Sequence, residues 1–370
     1  MTNPNDGASM TKLDLLHQHG QSVWYDFIRR DMLNEGGLAD LVEDGIRGVT
    51  SNPSIFEAAI ARTDLYDAQI AAVGDVSPEA AFEALAIDDI RAAADILKTV
   101  YDESDGEDGY VSLEVSPNLA HDTAGTIANG MRLWDAVDRR NLMIKVPATP
   151  EGIPAIEELT AAGVNVNATL MFSMADYEGV AQAFVRGARR ASDPALLASV
   201  ASFFVSRVDA STDAALERVG TERAAAYLGQ AAIANAKLAY RRYQEIFEGD
   251  EFAALEAIGT RPQRVLWAST STKNPEYHDV MYVEELIGPQ TVNTAPPGTI
   301  EAFLDHGVVK GGSLLEGVDE AATMISDLPS IGVDFDAITA QLQTDGVRSF
   351  ADAYASLLAA IADKQSKVVA

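Results

Sequence analysis

From residue 110 onward the chain alternates between short runs rich in β-branched residues and longer stretches with helical spacing. YVSLEV (110–115), NLMIKVPA (141–148), VNVNATLMF (164–172), SVASFFVSRV (199–208), RVLWAS (264–269) and TVNTAPP (291–297) read as strands. Helical spacing fills 120–139, 150–162, 174–191 and 211–247, with room for a short helix near 281–287. Upstream lie a short helix over 11–19, a strand SVWYDFI (22–28) and a short strand GVTSNPS (48–54) stopped by Pro53. That makes eight strand candidates, each followed by a helix or a long connection. Alternating β and α segments give a parallel sheet, and eight units favour a closed barrel over an open sheet. The expected fold class is α/β, a (β/α)8 TIM barrel with additional helices. No G-x-G-x-x-G or G-x-x-x-x-G-K-[ST] follows a strand, which weakens a nucleotide-binding doubly wound sheet.

The additional helices come from three places. Residues 1–20 give a polar segment, frayed over 1–10, and the short helix; 56–104 is an Ala-rich helical insert; 299–365 is helical, broken at Gly311 and Gly312. The acidic DESDGEDG (102–109) reads as a turn rather than a linker, so residues 1–370 are expected to form a single barrel domain.

Composition removes other classes. With no cysteine there is no disulfide scaffold, thiolate-metal site or cysteine nucleophile. No run of about 18 apolar residues is present, and MTNPNDGASMTKLD lacks a basic region leading into an apolar one. A soluble, cytoplasmic chain is therefore expected, with no membrane partner. Lys plus Arg number 27 against 56 Asp plus Glu, and the net charge of −29 argues against a nucleic-acid partner. Only eight of those cations are lysines, a balance that fits either an ordinary soluble surface or adaptation to salt. A phosphorylated ligand would meet a repulsive overall field, so any phosphate site must be built from local cations, hydroxyls and backbone N–H groups.

In a barrel strand alternate residues face the interior. In 141–148, Leu142, Ile144 and Val146 make a face suited to helices, leaving Lys145 inward and late in its strand, where barrel enzymes place catalytic groups. The same parity turns Ser112 and Glu114 inward, and likewise Asn165, Asn167, Thr169 and Met171. Asp26 shares the face of Trp24, Thr50 that of Asn52, and Ser202 that of Phe204 and Ser206. One lysine alone is usually a solvated group, but so many polar residues in register on separate strands form a site-like cluster. A desolvated lysine loses part of its preference for the charged form, and its neutral amine can attack a ketone to give a Schiff base. Asp26 and Glu114 would divide the proton transfers, directly or through a water, while Asn and Thr groups hold sugar hydroxyls.

The residues also resemble a known family. DGIRGVTSNPSIF (44–56) and LMIKVPATPEGIPAIEEL (142–159) resemble the two transaldolase signatures, in order and at the family's spacing. GVNVNATLMFS (163–173), SFFVSRVD (202–209), WASTSTKNPEY (267–277) and TVNTAPPGT (291–299) resemble its later strands, so the likeness spans roughly 12–365. It implies Lys145 as the Schiff-base lysine, Asp26 as acid/base at the C4 hydroxyl, Glu114 as activator of a catalytic water and Thr169 as its helper. It further implies substrate contacts from Asn52, Asn167, Ser202 and Phe204, with Arg207 on the phosphate. Thr50 belongs to the substrate-binding set, and Ser51 stands where many relatives have threonine. Around ASTSTKN, as in longer bacterial transaldolases, Lys273 takes the second phosphate-binding position, with either Ser269 or Ser271 as its hydroxyl partner. Arg207 does not share the inward parity of Ser202 and Phe204, so either it lies past the strand's end or the alternation breaks there, and a phosphate at the rim favours the first.

The implied reaction belongs to the pentose phosphate pathway: transfer of a dihydroxyacetone unit from sedoheptulose 7-phosphate to glyceraldehyde 3-phosphate, by a monomer or homodimer. The iminium is the electron sink, so no cofactor and no metal are expected. A fructose 6-phosphate aldolase is the near alternative, but those relatives are shorter and carry glutamine and tyrosine where Glu114 and Phe204 stand. A non-catalytic sugar-phosphate binder would be expected to have lost Lys145, Asp26 or Glu114, and all are present. A metal enzyme fares no better: of His17, His19, His121, His278 and His306, only His17 and His19 are neighbours in sequence, and all five read as solvated surface.

Overall fold

Eight parallel strands close on themselves in sequence order: β1 (Gln21–Tyr25), β2 (Gly48–Val49), β3 (Tyr110–Glu114), β4 (Leu142–Pro147), β5 (Val166–Met171), β6 (Ser199–Phe204), β7 (Arg264–Ala268) and β8 (Thr291–Ala295). β8 pairs with β1, Thr294 opposite Trp24, and completes the (β/α)8 barrel that the alternation predicts. The computed structural model describes residues 10–368; the frayed start expected over 1–10 lies, but for Met10, outside the described residues. No helix among them is long and apolar enough to cross a membrane.

The two faces of each strand do different work. Val111, Leu113, Leu142, Ile144, Val146, Val166 and Ala168 are buried. Ile144 meets the helix Thr123–Val137 close to Gly130, which leaves room for it. Each such valine, leucine or isoleucine contributes roughly 1.5–3 kcal/mol on leaving water. On the inner face near the N-terminal ends, Trp24 lies beside Gly48 so tightly that a Cβ there would meet the indole at 2.6 Å. Below it Asp108 accepts from Ser22 Oγ at 2.6 Å and Trp24 Nε1 at 3.1 Å, and pairs with Arg264 Nη1 at 3.2 Å. This buried charge is satisfied from several sides and forms the floor of the barrel.

Several boundaries differ from the expected ones, each for a local reason. The strand expected over 48–54 leaves the ladder at Val49, because Asn52 caps the helix Pro53–Ala61 by accepting from Ile55 N at 3.0 Å. Pro53 thus opens a helix at its first position, where its missing N–H costs nothing. The helical insert accordingly starts earlier than 56, as Pro53–Ala61, Asp67–Val73 and Pro78–Glu103. The strand expected over 199–208 ends at Phe204, and Ser206 begins the helix Ser206–Val219. The long helix expected over 211–247 is three, Ser206–Val219, Glu222–Ala225 and Ala231–Phe247, the first ended by Gly220 at φ 67°.

The C-terminal region forms helices Pro297–His306, Val318–Asp327 and Phe335–Val368, with Gly311 and Gly312 in a turn between the first two. The last of them, 34 residues long, reaches the barrel mouth. Gln343 Nε2 donates to the carbonyls of Ala148 at 3.0 Å and Leu170 at 3.3 Å, at the ends of β4 and β5. Farther along, Tyr354 packs edge-on against Phe82 with centroids 5.6 Å apart.

Candidate active site

Strand register sets three polar side chains level. Glu114 on β3 is opposite Lys145 on β4, and Lys145 is opposite Asn167 on β5. The Lys145 side chain is only 6% exposed, and its Nζ donates to the Ser51 carbonyl at 3.2 Å and lies 3.9 Å from Glu114 Oε2. The Phe350 ring, from the C-terminal helix, stands 5.9 Å from Nζ. Burial raises the Glu114 carboxyl from its ordinary 4.5 to about 7; the Lys145 charge pulls it down and that of Asp26 pushes it further up. Near neutrality both proton states of Glu114 are therefore populated, as a group that both gives and takes protons requires.

Asp26 sits one residue beyond β1, where its N–H still bonds to the Ala295 carbonyl. Thr50 Oγ1 donates to Asp26 Oδ1 at 2.6 Å and also meets Thr294 Oγ1 at 2.7 Å, which fixes the carboxylate's orientation. Asn167 ties the next strands together: its Nδ2 donates to Ser112 Oγ at 3.0 Å and its Oδ1 accepts from Ser202 Oγ at 2.7 Å. Thr169 Oγ1 and Glu114 Oε2 are buried with no hydrogen-bond partner among the described residues. Unpaired buried polar atoms are rare and costly, and they mark where a reactant or water supplies the missing bond. Glu114 also borders a small pocket of about 30 Å³ shared with Asn52, Ser116 and Asn129, room for a water.

At the rim the chain departs from strand geometry. Arg207 lies in the first turn of Ser206–Val219, past the end of β6, as expected. Its guanidinium stands 5.6 Å from the Phe204 ring, and burial lowers its pKa. Lys273 is lowered too, first by burial and then by the Arg207 charge, with Asp26 opposing. Its Nζ donates to Ser271 Oγ at 2.7 Å, while Ser269 Oγ meets Ser206 Oγ at 3.0 Å. Two neighbouring cations, both made less comfortable by burial, are what a phosphate dianion relieves. Ser269 is held at φ 56° and Leu170, at a register shift in β5, at φ 59°, left-handed values unusual for non-glycine residues. Alternation therefore stops being a guide after Thr169.

A cavity of about 240 Å³ gathers Asp26, Thr50, Asn52, Lys145, Ser202, Phe204, Arg207, Ser269, Ser271 and Lys273. Glu114, Asn167 and Thr169 adjoin it through the register and contacts above. The residues given a catalytic or substrate-binding role thus lie in or against one site at the C-terminal mouth, where barrel enzymes place their chemistry, whereas Asn165, also turned inward by parity, donates to the carbonyls of Arg140 and Leu142 at the other end of the barrel. Both Ser269 and Ser271 line the cavity. Ser54, Thr294, Pro296 and Phe350 line it as well and were not foreseen. Extending the parity argument to TVNTA would have found Thr294; no local signal marks Phe350. Asn52 also has a second task, as a helix cap.

Behind the cations, Asp213 accepts from Tyr277 OH at 2.8 Å and Asp209 from Tyr282 OH at 2.8 Å. These bonds tie the helix that carries Arg207 to the segment that carries Lys273. Burial raises Asp209 to about 6. The five histidines are all exposed, as expected. His278 and His306, far apart in sequence, stand with ring centroids 5.7 Å apart, because the loop after β7 folds onto the helix after β8.

The chain is also similar to known proteins. The family model described as Transaldolase/Fructose-6-phosphate aldolase matches residues 23–361. A protein named Transaldolase from Thiobacillus denitrificans is 50% identical over 349 residues, covering 92% of this chain and 97% of that protein. Transaldolase from Frankia alni is 48% identical over 359 residues, 95% of this chain and 97% of that one. Transaldolase 1 from Streptomyces coelicolor is 45% identical over 361 residues, 96% and 95% of the two chains.

Proposed function

The chain belongs to the transaldolase/fructose-6-phosphate aldolase family, and from that premise we infer that it is a transaldolase working through a Schiff base on Lys145. Its substrates are sugar phosphates. The donor is sedoheptulose 7-phosphate, the acceptor glyceraldehyde 3-phosphate, and the products are erythrose 4-phosphate and fructose 6-phosphate. The proposed setting is the cytoplasm, in the pentose phosphate pathway, with the chain acting alone or as a homodimer.

Lys145 Nζ attacks the ketone carbon of the donor, and loss of water from the carbinolamine gives the iminium. Glu114, with both proton states accessible, moves the protons of that dehydration through a water that Thr169 helps hold. Asp26, oriented by Thr50, takes the proton of the C4 hydroxyl as the C3–C4 bond breaks. The bond's electrons flow into the iminium and leave an enamine on Lys145, and erythrose 4-phosphate departs. The enamine then attacks the aldehyde carbon of glyceraldehyde 3-phosphate, Asp26 returns the proton, and hydrolysis of the new iminium frees fructose 6-phosphate. Arg207, Lys273 and the serines at 269 and 271 hold the phosphate, which places the reacting carbons over Lys145. The Phe204 and Phe350 rings keep water from the enamine.

The observation that carries this reading is a buried lysine set level with Glu114 and Asn167, with Asp26 and two cations in the same cavity. Borohydride trapping tests it. After incubation with fructose 6-phosphate and reduction, peptide mass spectrometry should find a dihydroxyacetone-sized adduct on Lys145. Phosphate-sugar binding with no adduct would refute the Schiff-base assignment.

A further inference from the structure

His278 and Asp279, from the loop after β7, meet His306 at the end of the helix Pro297–His306. One ligand atom from each lies within 4.8 Å of the other two. His306 Nε2 is 2.9 Å from Asp279 Oδ1, and His278 Nδ1 is 3.6 Å from the same oxygen. The remaining ring nitrogens also face carboxylates: His278 Nε2 lies 3.3 Å from Glu284 Oε1 and His306 Nδ1 3.2 Å from Asp305 Oδ2. So the rings share one carboxylate on their inner side, and each has its own carboxylate on the outer side.

His306 Nε2 and His278 Nδ1 converge on one carboxylate oxygen, so a cation at the centre would take a lone pair from each neutral ring and an oxygen of Asp279 together. Metal-ligating histidines characteristically give their other N–H to a carboxylate, which fixes the tautomer and raises the ring's basicity. Glu284 is well placed for this: its side chain is only 7% exposed and its Oε1 also accepts from Val308 N at 2.8 Å. Three carboxylates face the rings, and Lys310, 3.9 Å from Glu284, is the lysine paired to one of them. The surplus negative charge favours a dication.

We propose that His278, Asp279 and His306 form a surface site for a divalent transition metal of the Zn²⁺ class, with Glu284 and Asp305 orienting the two imidazoles. Two imidazoles and one carboxylate suit zinc, copper or nickel rather than magnesium, which prefers oxygen donors and near-octahedral geometry. Bonds of about 2.0–2.1 Å require the ligand atoms to close to roughly 3.3 Å apart, a movement exposed side chains make by small rotations. Bound there, the ion would pin the loop to the helix. The loop is already held by Thr272 Oγ1, which donates to the carbonyls of His278 at 3.1 Å and Asp279 at 3.0 Å. The residue after Thr272 is Lys273, so the staple lies next to the phosphate cations without being part of the catalytic machinery.

Titration calorimetry with Zn²⁺ alone, on chelator-treated protein at pH 7.5, tests the site, with metal analysis of the dialysed sample. One ion per chain is expected, with Cu²⁺ tighter, Mn²⁺ weaker and Mg²⁺ silent. His278→Gln and His306→Gln should each abolish that binding, and Asp305→Asn should weaken it about tenfold or more. The double variant His17→Gln/His19→Gln should bind as the parent does. Zn²⁺ should also slow backbone hydrogen exchange over 270–280. Absence of stoichiometric binding, or binding indifferent to His306→Gln, would overturn the proposal and leave the cluster held by protons alone. Because both histidines are exposed, their variants should keep the parent circular dichroism, and either one suffices for the test.

Discussion

Glu114→Gln should make the protein more stable and less active, and the stability gain should depend on pH. Burial lifts this carboxyl from 4.5 to about 7, so the native state holds its proton more tightly than the unfolded chain does. Between those two values the unfolded chain has released the proton and the native state has not. Stability therefore falls as pH rises through that window and is level above it. At about 1.4 kcal/mol per tenfold in proton affinity, the full penalty is roughly 3 kcal/mol. Glutamine carries no charge at any pH and removes it. An unfolding entropy of about 2.1 cal/mol/K per residue over 370 residues converts this to a Tm advantage of about 1 °C at pH 5 and about 4 °C at pH 8. Calorimetric melts of both proteins across that range measure it directly. The same variant should form its Schiff base more slowly, read by single-turnover trapping, with little change in KM. A Tm difference that stays flat with pH would refute the claim that burial dominates the Glu114 environment. An unchanged rate with raised KM would make Glu114 a binding group instead.

Lys145→Ala should lose both turnover and the borohydride adduct while keeping its circular dichroism, and residual transfer activity would place the nucleophile elsewhere. Arg207→Ala should raise KM for phosphorylated substrates about 10- to 100-fold, the loss of a charged hydrogen bond worth about 1.5–3 kcal/mol, with kcat largely kept. Tyr277→Phe removes the 2.8 Å bond to Asp213 behind Lys273, and steady-state kinetics should show KM up about fivefold, for about 1 kcal/mol, at constant kcat. Gly48→Ala would set a Cβ 2.6 Å from the Trp24 ring, and denaturant unfolding should register a loss of about 1–3 kcal/mol.

The barrel was readable because parallel strands buried on one side by helices keep a strict parity, and that parity put Lys145, Glu114 and Asn167 on the inner face before any contact was known. It stopped guiding where the backbone leaves the regular ladder: Leu170 sits at a register shift with φ 59°. Arg207, out of parity, lies in a helix past the strand's end. The family resemblance supplied the roles that parity could not, including those of Arg207 and Lys273. What stayed hidden depends on contacts between distant segments. Phe350 reaches Lys145 from a helix some 200 positions downstream, and His278 meets His306 only because two loops fold together. Asn52 was read for its amide alone, although Asn followed by Pro at the start of an apolar run is a local capping signal.

The pairing of β8 with β1 also orders events in time. During synthesis, Gln21–Tyr25 leaves the ribosome with one edge unpartnered, and its mate Thr291–Ala295 follows only after some 265 further residues. At about 5–20 residues per second that wait is roughly 13–50 s. Throughout it the nascent sheet carries two open edges, at β1 and at whichever strand emerged last, and such edges invite wrong pairing. Lys145 is already made while its covering Phe350 is not, so a finished reaction chamber arrives only with the final helix. A stalled or C-terminally clipped chain would lack the Phe350 ring that stands over that amine.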